Sequence, residues 1–215
     1  MNFKRRQFLA TTALTLAAGA LRVPMAAASE SLLERPIPAS GESVPAIGMG
    51  TSGSFEVGTD AAARDPLREV LRRFVAGGAR LVDTAPSYGT AESVLGDLLA
   101  ELKLRDQVFL ATKLSSVGRE AGAAQFAQSL ARLRTDKVEL LQVHNLRDWQ
   151  TQLALARELK AEGKVRYVGL THYVDSAHAE LAAAMRESKP DFIQINYSPT
   201  QRAAEAELFP LAQEL

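Results

Sequence analysis

Four polar residues in this chain have types and positions that could carry out acid–base chemistry. Asp83, Lys113 and His144 each directly follow a short apolar segment, and Tyr88 lies five residues beyond Asp83 in a turn rich in Pro, Ser and Gly. In α/β proteins the catalytic groups stand at the carboxyl ends of the strands. We therefore expect the four side chains to converge, provided that the apolar segments are neighbouring strands of one sheet.

These four residue types suit the donation of a proton to a carbonyl oxygen. A tyrosine has a pKa of about 10, so it is a weak acid and a poor base near neutrality. The ammonium of Lys113 is expected to stabilise the phenolate of Tyr88 and to lower this pKa, and the carboxylate of Asp83 would hold the ammonium charged. A neutral His144 could donate a hydrogen bond to the carbonyl. The set predicts a site for reducing C=O with hydride from a cofactor.

Each of these residues also has a purely structural interpretation. Asp83 and Lys113 could form a structural ion pair, His144 could be a hydrogen-bonded core imidazole, and Tyr88 could be an aromatic residue of the loop. Their placement at successive strand ends favours the functional interpretation. The chain has no cysteine and only three histidines, which argues against a metal site. His178 is predicted to be an exposed helix residue without a role.

Apolar segments and helical patterns alternate six times along the chain, after a hairpin turn at residues 40–42. The predicted strands are 44–51, 79–83, 108–112, 138–143, 165–170 and 192–195. The predicted helical segments are 67–75, 95–99, 126–133, 153–160, 179–185 and 203–215, with Gly163 ending the fourth. Strands that are short and apolar on both faces predict a parallel sheet covered by helices.

Such a sheet can be an open doubly wound sheet or an eight-stranded barrel. An open sheet of the dinucleotide-binding type has a glycine-rich turn that leads into a helix, whereas no helix begins after the glycines of residues 48–53. The prediction is therefore an α/β fold of the (β/α)8 TIM-barrel type. About six of the eight βα units fit the sequence, so the barrel is expected to be truncated, with unpaired edges and weak cofactor binding.

The charge distribution separates the first 28 residues from the rest. They hold four cations and no acidic residue, whereas residues 29–215 hold 21 basic and 25 acidic residues. This balance gives no indication of nucleic acid or of an anionic membrane surface as a partner.

Residues 1–28 are predicted to be a signal peptide, and residues 29–215 the barrel domain. The Arg5-Arg6 pair followed by Phe8-Leu9 resembles a twin-arginine export signal, with a small-residue cleavage site at 26–28. The expected partner is then the twin-arginine export machinery, and the expected location is the periplasm. The apolar segment 8–21 is too short and too rich in Ala and Thr for a stable membrane anchor. A general secretory signal or a basic amino-terminal arm are the alternatives.

Four ordered motifs resemble the aldo-keto reductase family from about residue 35 to residue 215. They are Asp-Thr-Ala-Pro-Ser-Tyr-Gly at 83–89 with Ala-Glu at 91–92, Ala-Thr-Lys at 111–113, Leu-Gln-Val-His at 141–144 and Gly-Lys-Val-Arg-Tyr-Val-Gly at 163–169. The resemblance implies that Tyr88 is the general acid, that Lys113 and Asp83 tune it, and that His144 positions the carbonyl of a small aldehyde or ketone.

The same resemblance implies a nicotinamide dinucleotide, with NADP(H) favoured over NAD(H). Gly50 and Thr51 match the turn beside the nicotinamide, and Gln194 matches the glutamine that binds its carboxamide. Thr171 and His172 stand where many members have Ser-Asn, and His172 could equally be a loop residue without a ligand. The alternatives to a reductase are a non-catalytic binding or regulatory protein with this fold, an inactive fragment, or an unrelated barrel lyase or isomerase.

Overall fold

The computed structural model describes residues 32–215. Its strands are β1 (Glu34–Pro36), β2 (Ser43–Pro45), β3 (Gly48–Gly50), β4 (Leu81–Asp83), β5 (Phe109–Leu114), β6 (Val138–Val143), β7 (Val165–Thr171) and β8 (Phe192–Gln194). The central feature is a curled sheet of six parallel strands in the order β3-β4-β5-β6-β7-β8, which follows the order of the sequence. The predicted α/β fold, an incomplete barrel of the TIM type, is confirmed.

Within residues 32–215, six α-helices pack on the outside of this sheet. They are α1 (Ala61–Ala76), α2 (Ala91–Leu102), α3 (Arg119–Leu133), α4 (Trp149–Ala161), α5 (His178–Ser188) and α6 (Leu208–Glu214). Most begin earlier than predicted, because their first turns contain few apolar residues and so lack a helical pattern. As predicted, Gly163 ends α4: it has a φ of +76° and its N–H donates to the carbonyl of Lys160 at 3.0 Å. Within the described range, no helix has the length and apolar content needed to cross a membrane.

The predicted hairpin lies at the amino-terminal end of the sheet, where β1 and β2 pair antiparallel. The predicted strand 44–51 is in fact two strands, because Pro45 has no N–H for a continuing ladder and the chain turns before β3 pairs with β4. Glu42 of the hairpin accepts a hydrogen bond from the hydroxyl of Tyr167 at 2.7 Å and pairs with Arg166. These contacts tie the hairpin to β7.

Side chains alternate strictly between the two faces of the sheet, as the two-residue period of a strand requires. Towards the hairpin, the inner face is filled by apolar and aromatic residues such as Phe109, Leu140 and Tyr167, and the rings of Phe109 and Tyr167 stack with centroids 5.9 Å apart. The opposite, carboxyl ends of the strands carry polar inner residues instead. The fold therefore separates a packed end from a polar end.

Glu92 connects two helices to the strand that carries Lys113. Its buried carboxylate accepts hydrogen bonds from the hydroxyl of Thr112 in β5 at 2.7 Å and from Arg132 of α3 at 3.2 Å. A buried carboxylate is stable only when it is paired and hydrogen-bonded in this way. Glu92 therefore fixes α2 and α3 against β5 directly beside Lys113.

The close packing of α2 on α3 gives a first testable prediction. A Cβ added at Gly96 would lie 2.2 Å from the carbonyl oxygen of Arg132 and 2.7 Å from the Cα of Leu133, both of which are backbone atoms. We expect Gly96→Ala to lower the free energy of unfolding in urea by about 1–3 kcal/mol, the usual cost of overpacking. Gly50→Ala is the control, because nothing lies within 4 Å of its added Cβ. Equal urea midpoints of unfolding for Gly96→Ala and Gly50→Ala would contradict the close packing of α2 on α3.

Candidate active site

The structure brings Asp83, Tyr88, Lys113 and His144 together at the carboxyl end of the sheet. The Nζ of Lys113 lies 2.6 Å from Oδ2 of Asp83 and 5.1 Å from the ring centroid of Tyr88. The rings of Tyr88 and His144 meet edge to face, with centroids 5.9 Å apart and planes at 87°. The convergence expected from the strand ends is therefore present in the fold, while the chemical roles of the four residues remain predictions.

The ion pair at the base of this cluster is almost completely removed from water. The side chain of Lys113 is 1% exposed and that of Asp83 is 10% exposed. Lys113 also donates to the carbonyl of Thr84 at 2.9 Å, and the other carboxylate oxygen of Asp83 accepts a hydrogen bond from the amide of Gln142 at 3.2 Å. A buried ion pair needs such additional hydrogen bonds to offset the cost of desolvation.

The pKa of Tyr88 is shifted in the direction opposite to the one expected from the sequence. Burial, together with the charge of Asp83, raises the pKa of the Tyr88 phenol above its ordinary value. Burial also lowers the pKa of Lys113, against the opposing effect of Asp83. The expected lowering of the Tyr88 pKa is thus wrong for this chain, because burial and the charge of Asp83 both favour the neutral phenol. In the resting site Tyr88 is therefore a weaker acid than a free tyrosine.

His144 is half-buried and favours its neutral form. Burial, followed by the positive charge of Lys113, lowers the pKa of the His144 imidazole. Its Nδ1 lies 3.4 Å from the hydroxyl of Ser87. Because the unfolded chain binds this proton more tightly than the folded one, His144 destabilises the folded state as the pH falls through the ordinary histidine pKa of about 6.5.

A cavity of about 430 Å³ opens above the cluster, and we call it the nicotinamide cavity after the ligand that the sequence predicts for it. Its lining residues are Ser52, Tyr88, Lys113, His144, Asn145, Thr171, His172, Tyr173, Gln194, Ile195 and Asn196. The predicted cofactor residues Thr171, His172 and Gln194 thus share one cavity with three of the four predicted catalytic residues.

The other two predicted cofactor residues, Gly50 and Thr51, do not line this cavity. Thr51 is fully buried, and both its N–H and its hydroxyl donate to the carbonyl of Asp83, at 3.0 and 3.1 Å. This hydroxyl proton is therefore already used inside the protein, where it joins the turn after β3 to the end of β4. The following residue, Ser52, lines the cavity instead.

Backbone contacts define which groups Thr171 and His172 present to the cavity. The hydroxyl of Thr171 accepts a hydrogen bond from the N–H of Asn145 at 3.0 Å, which leaves its own proton free to be donated. Nδ1 of His172 accepts from the N–H groups of Tyr173 and Val174 at 3.1 and 3.3 Å. The proton of a neutral His172 is then on Nε2, so both residues retain a donor.

Gln142 is a site residue to which the sequence analysis gave no role. It is buried, and its Nε2 donates both to Asp83 and to Oε1 of Gln194, at 3.2 and 3.4 Å. Gly169 leaves space for it, because a Cβ there would lie 3.1 Å from Cγ of Gln142. The two-residue period that places His144 inward also places Gln142 inward, and this signal could have found it.

His178 is also placed differently from its prediction. It is buried with 8% exposure at the start of α5, and its Nε2 lies 3.2 Å from Oδ1 of Asn196, a residue that lines the nicotinamide cavity. The prediction of an exposed position was wrong, because the loop after β8 covers this end of the helix. His178 therefore supports the cavity wall from behind.

Comparison with known proteins identifies the family. The model of the aldo/keto reductase family matches residues 46–215, which is most of the chain. The chain belongs to the aldo/keto reductase family. It is 31% identical over 191 residues to aldo-keto reductase YhdN of Bacillus subtilis, covering 78% of this chain and 54% of that protein. It is also 31% identical over 169 residues to the NADH-specific methylglyoxal reductase of Escherichia coli, covering 64% and 49% respectively.

Solved structures of other aldo/keto reductases show the same fold. An enzyme from Klebsiella pneumoniae in complex with NADPH is 28% identical, with a TM-score of 0.70 over 85% of this chain and 65% of that one. The chain spans about half the length of each of the two relatives from Bacillus subtilis and Escherichia coli.

The buried ion pair gives a second testable prediction. Lys113→Met leaves the Asp83 carboxylate buried without its counter-charge, so we expect the free energy of unfolding in urea to fall by about 3–5 kcal/mol. Adding Asp83→Asn to this variant should recover part of the loss, since no uncompensated charge then remains. The control is Lys164→Met, which removes an exposed ion pair with Glu162 and should cost about 0–1 kcal/mol. Equal losses of unfolding free energy in Lys113→Met and Lys164→Met would contradict the view that Lys113 and Asp83 form a buried ion pair.

Proposed function

We propose that this chain carries the proton-donating site of an NAD(P)H-dependent reductase of aldehydes and ketones. The observation that supports the proposal is the cluster of Tyr88, His144 and the Lys113–Asp83 pair beneath one cavity. In this proposal Tyr88 is the general acid, Lys113 and Asp83 form the charged base of the site, and His144 orients the carbonyl. The substrate is a small carbonyl compound, in keeping with the relative that is named a methylglyoxal reductase.

The residues that line the nicotinamide cavity fit the carboxamide end of a nicotinamide dinucleotide. Gln194, Thr171 and His172 offer amide, hydroxyl and imidazole donors on one side of the cavity. When bound, the dinucleotide supplies the hydride. We propose NADP(H) in preference to NAD(H), on the likeness to the NADPH-bound structure. The relative named as NADH-specific makes NAD(H) the alternative, and titration with both dinucleotides distinguishes the two.

The pKa directions assign the protonation states that such a reaction needs. A phenol with an ordinary pKa of about 10 is already protonated near neutral pH, so the Tyr88 hydroxyl can donate a hydrogen bond to the carbonyl oxygen and transfer its proton as negative charge develops there. In this proposal the ammonium of Lys113, 5.1 Å from the ring centroid of Tyr88, is the group available to stabilise the negative charge that develops on the substrate oxygen. The lowered pKa of His144 keeps its ring neutral, so it donates a hydrogen bond without adding charge to the resting site.

The non-catalytic alternative is not favoured. The two relatives named above are both called reductases, and in this chain the four residues of the proposed cluster lie together at the carboxyl end of the sheet.

Removal of the Tyr88 hydroxyl is the third testable prediction. We expect Tyr88→Phe to lower kcat for an aldehyde panel by about 10²–10⁴-fold, the usual contribution of a positioned acid, measured as NADPH oxidation. The dissociation constant of NADPH, measured by fluorescence quenching, should stay the same. Tyr197→Phe is the matched control, because that hydroxyl donates to Glu205 and does not line the nicotinamide cavity. Undiminished turnover by Tyr88→Phe would remove Tyr88 from its role.

We also propose that the protein is exported by the twin-arginine machinery to the periplasm. The support is the sequence pattern around Arg5 and Arg6, which lies outside the residues that the structure describes. Export in this form suits a protein that binds its cofactor before it leaves the cytoplasm.

The arginine pair gives the fourth testable prediction. In a bacterium with an active twin-arginine pathway, we expect Arg5→Lys combined with Arg6→Lys to retain the precursor in the cytoplasm, as measured by cell fractionation and immunoblotting. Arg22→Lys serves as the control, because it lies away from the pair and should leave export unchanged. Processing of the double variant at the wild-type rate would favour a general secretory signal.

A further inference from the structure

A second cavity lies on the other side of His144 from the cofactor residues. It has a volume of about 540 Å³, and its lining residues are Ser87, Ser115, His144, Asn145 and Arg147. We call it the Arg147 subsite. His144 and Asn145 line both this subsite and the nicotinamide cavity, whereas Thr171, His172 and Gln194 line the nicotinamide cavity alone. A substrate carbonyl held at His144 therefore has space for the rest of its molecule in the Arg147 subsite, away from the proposed cofactor.

The loop that carries Arg147 has an unusual backbone. Asn145, Leu146 and Asp148 have φ values of +55°, +55° and +49°, a conformation that a non-glycine residue such as leucine rarely adopts. The loop is anchored on both sides of Arg147: the N–H of Asn145 donates to Thr171, Leu146 is buried, and Asp148 accepts from the N–H of Gly118 at 2.7 Å. Backbone strain of this kind persists where the surroundings hold it and is typical of functional sites.

The charge of the Arg147 subsite is positive. Arg147 is exposed, and among the described residues it makes no ion pair with a carboxylate. The neighbouring acid, Asp148, uses Oδ2 to accept from Gly118 and from Gln152 at 3.2 Å. None of the described residues that line either cavity is an aspartate or a glutamate. An arginine next to a cavity without acidic residues attracts an anionic group.

The hydroxyl and amide groups around Arg147 complete a site for oxyanions. Ser115 accepts a hydrogen bond from Gln125 at 3.0 Å, so its own proton remains free to be donated, and Ser87 and Asn145 provide further donors. A guanidinium binds carboxylate and phosphate with two parallel hydrogen bonds, which neither a lysine nor a hydroxyl alone reproduces.

We propose that the Arg147 subsite binds the carboxylate or phosphate group of an anionic carbonyl substrate, whose C=O lies at His144 and Tyr88. The inference rests on the proposed reductase function and narrows its substrate class to aldehydes or ketones that carry an oxyanion. Arg147 is in this proposal a specificity residue, because it contacts the distant end of the substrate and not the reacting atoms.

The first test compares an anionic aldehyde with its neutral methyl ester. We measure kcat/KM with NADPH for meta-carboxybenzaldehyde and for its methyl ester, and take the ratio of acid to ester. The wild-type ratio should exceed one, and Arg147→Ala should lower it about tenfold, the size expected for a partly exposed charged hydrogen bond. Arg147→Lys should retain part of the preference. The matched control is Arg72→Ala, which removes an exposed arginine of α1 and should leave the ratio unchanged.

The same ratio for glyceraldehyde phosphate against glyceraldehyde distinguishes phosphate from carboxylate as the preferred group. An acid-to-ester ratio and a phosphate ratio that are both unaffected by Arg147→Ala would overturn the proposal. A loss of NADPH affinity in Arg147→Ala, with both ratios unchanged, would overturn it as well and would assign the arginine to the cofactor. Absence of turnover with every aldehyde would contradict the reductase function, and the second test then decides the subsite separately.

The second test requires neither cofactor nor turnover. Benzoate bound at Arg147 places a negative charge beside His144 and should raise the pKa of its imidazole, followed by NMR titration, whereas benzyl alcohol should not. The His144 signal is assigned by its loss in His144→Gln, and the chain has only two other histidines. Arg147→Ala should abolish the benzoate effect. A benzoate-induced pKa shift of equal size in Arg147→Ala, or no shift in the wild type, would overturn the subsite.

Discussion

The ion pair between Lys113 and Asp83 is the interaction on which the site depends. A lysine ammonium with 1% exposure is unfavourable unless an opposite charge and further acceptors surround it, and here Asp83 lies 2.6 Å away with the carbonyl of Thr84 at 2.9 Å. Lys113 belongs to β5, whereas Asp83 ends β4 and Thr84 is the residue after it. Gln142 of β6 adds a hydrogen bond to Asp83. The pair therefore fixes the relative positions of three strand ends, and Tyr88 and His144 are placed on top of them.

Burial of the phenol and of the imidazole explains the direction of the two pKa shifts above this pair. A free ammonium would lower the pKa of a nearby phenol, which is the effect expected from the residue types alone. Burial is the largest cause of both shifts: together with the charge of Asp83 it raises the pKa of Tyr88, and together with the charge of Lys113 it lowers the pKa of His144. The site in its resting state thus presents two neutral hydrogen-bond donors above a compensated pair.

The parts of this site that the sequence predicts are those that follow from strand periodicity. Residues at the ends of successive parallel strands must meet at one edge, so the convergence of Asp83, Lys113 and His144 could be expected, and the same two-residue period extends to Gln194 of β8. The burial of His178 could not be expected, because it depends on a loop distant in sequence that brings Asn196 to it. Contacts of that kind are tertiary and leave no local pattern.

Two further features escape prediction for different physical reasons. Thr51 has the residue type of a cofactor ligand, but the direction of its hydroxyl is decided by the carbonyl of Asp83 on the next strand. The loop around Arg147 adopts positive φ values at Asn145 and Leu146, although no glycine is present to indicate this. Its conformation is imposed by Thr171 and by the burial of Leu146, neither of which is apparent in the local sequence.

The ion pair also determines which way the side-chain amides of Gln142 and Gln194 are oriented. An ionised Asp83 can only accept hydrogen bonds, so the NH2 group of Gln142, and not its oxygen, must face it. The same NH2 group reaches Oε1 of Gln194, which is thereby fixed as an acceptor towards the interior. The NH2 group of Gln194 is then left to donate to whatever the nicotinamide cavity holds. A buried charge on β4 thus sets the orientation of an amide on β8, and this amide favours a carbonyl oxygen over an N–H as its partner.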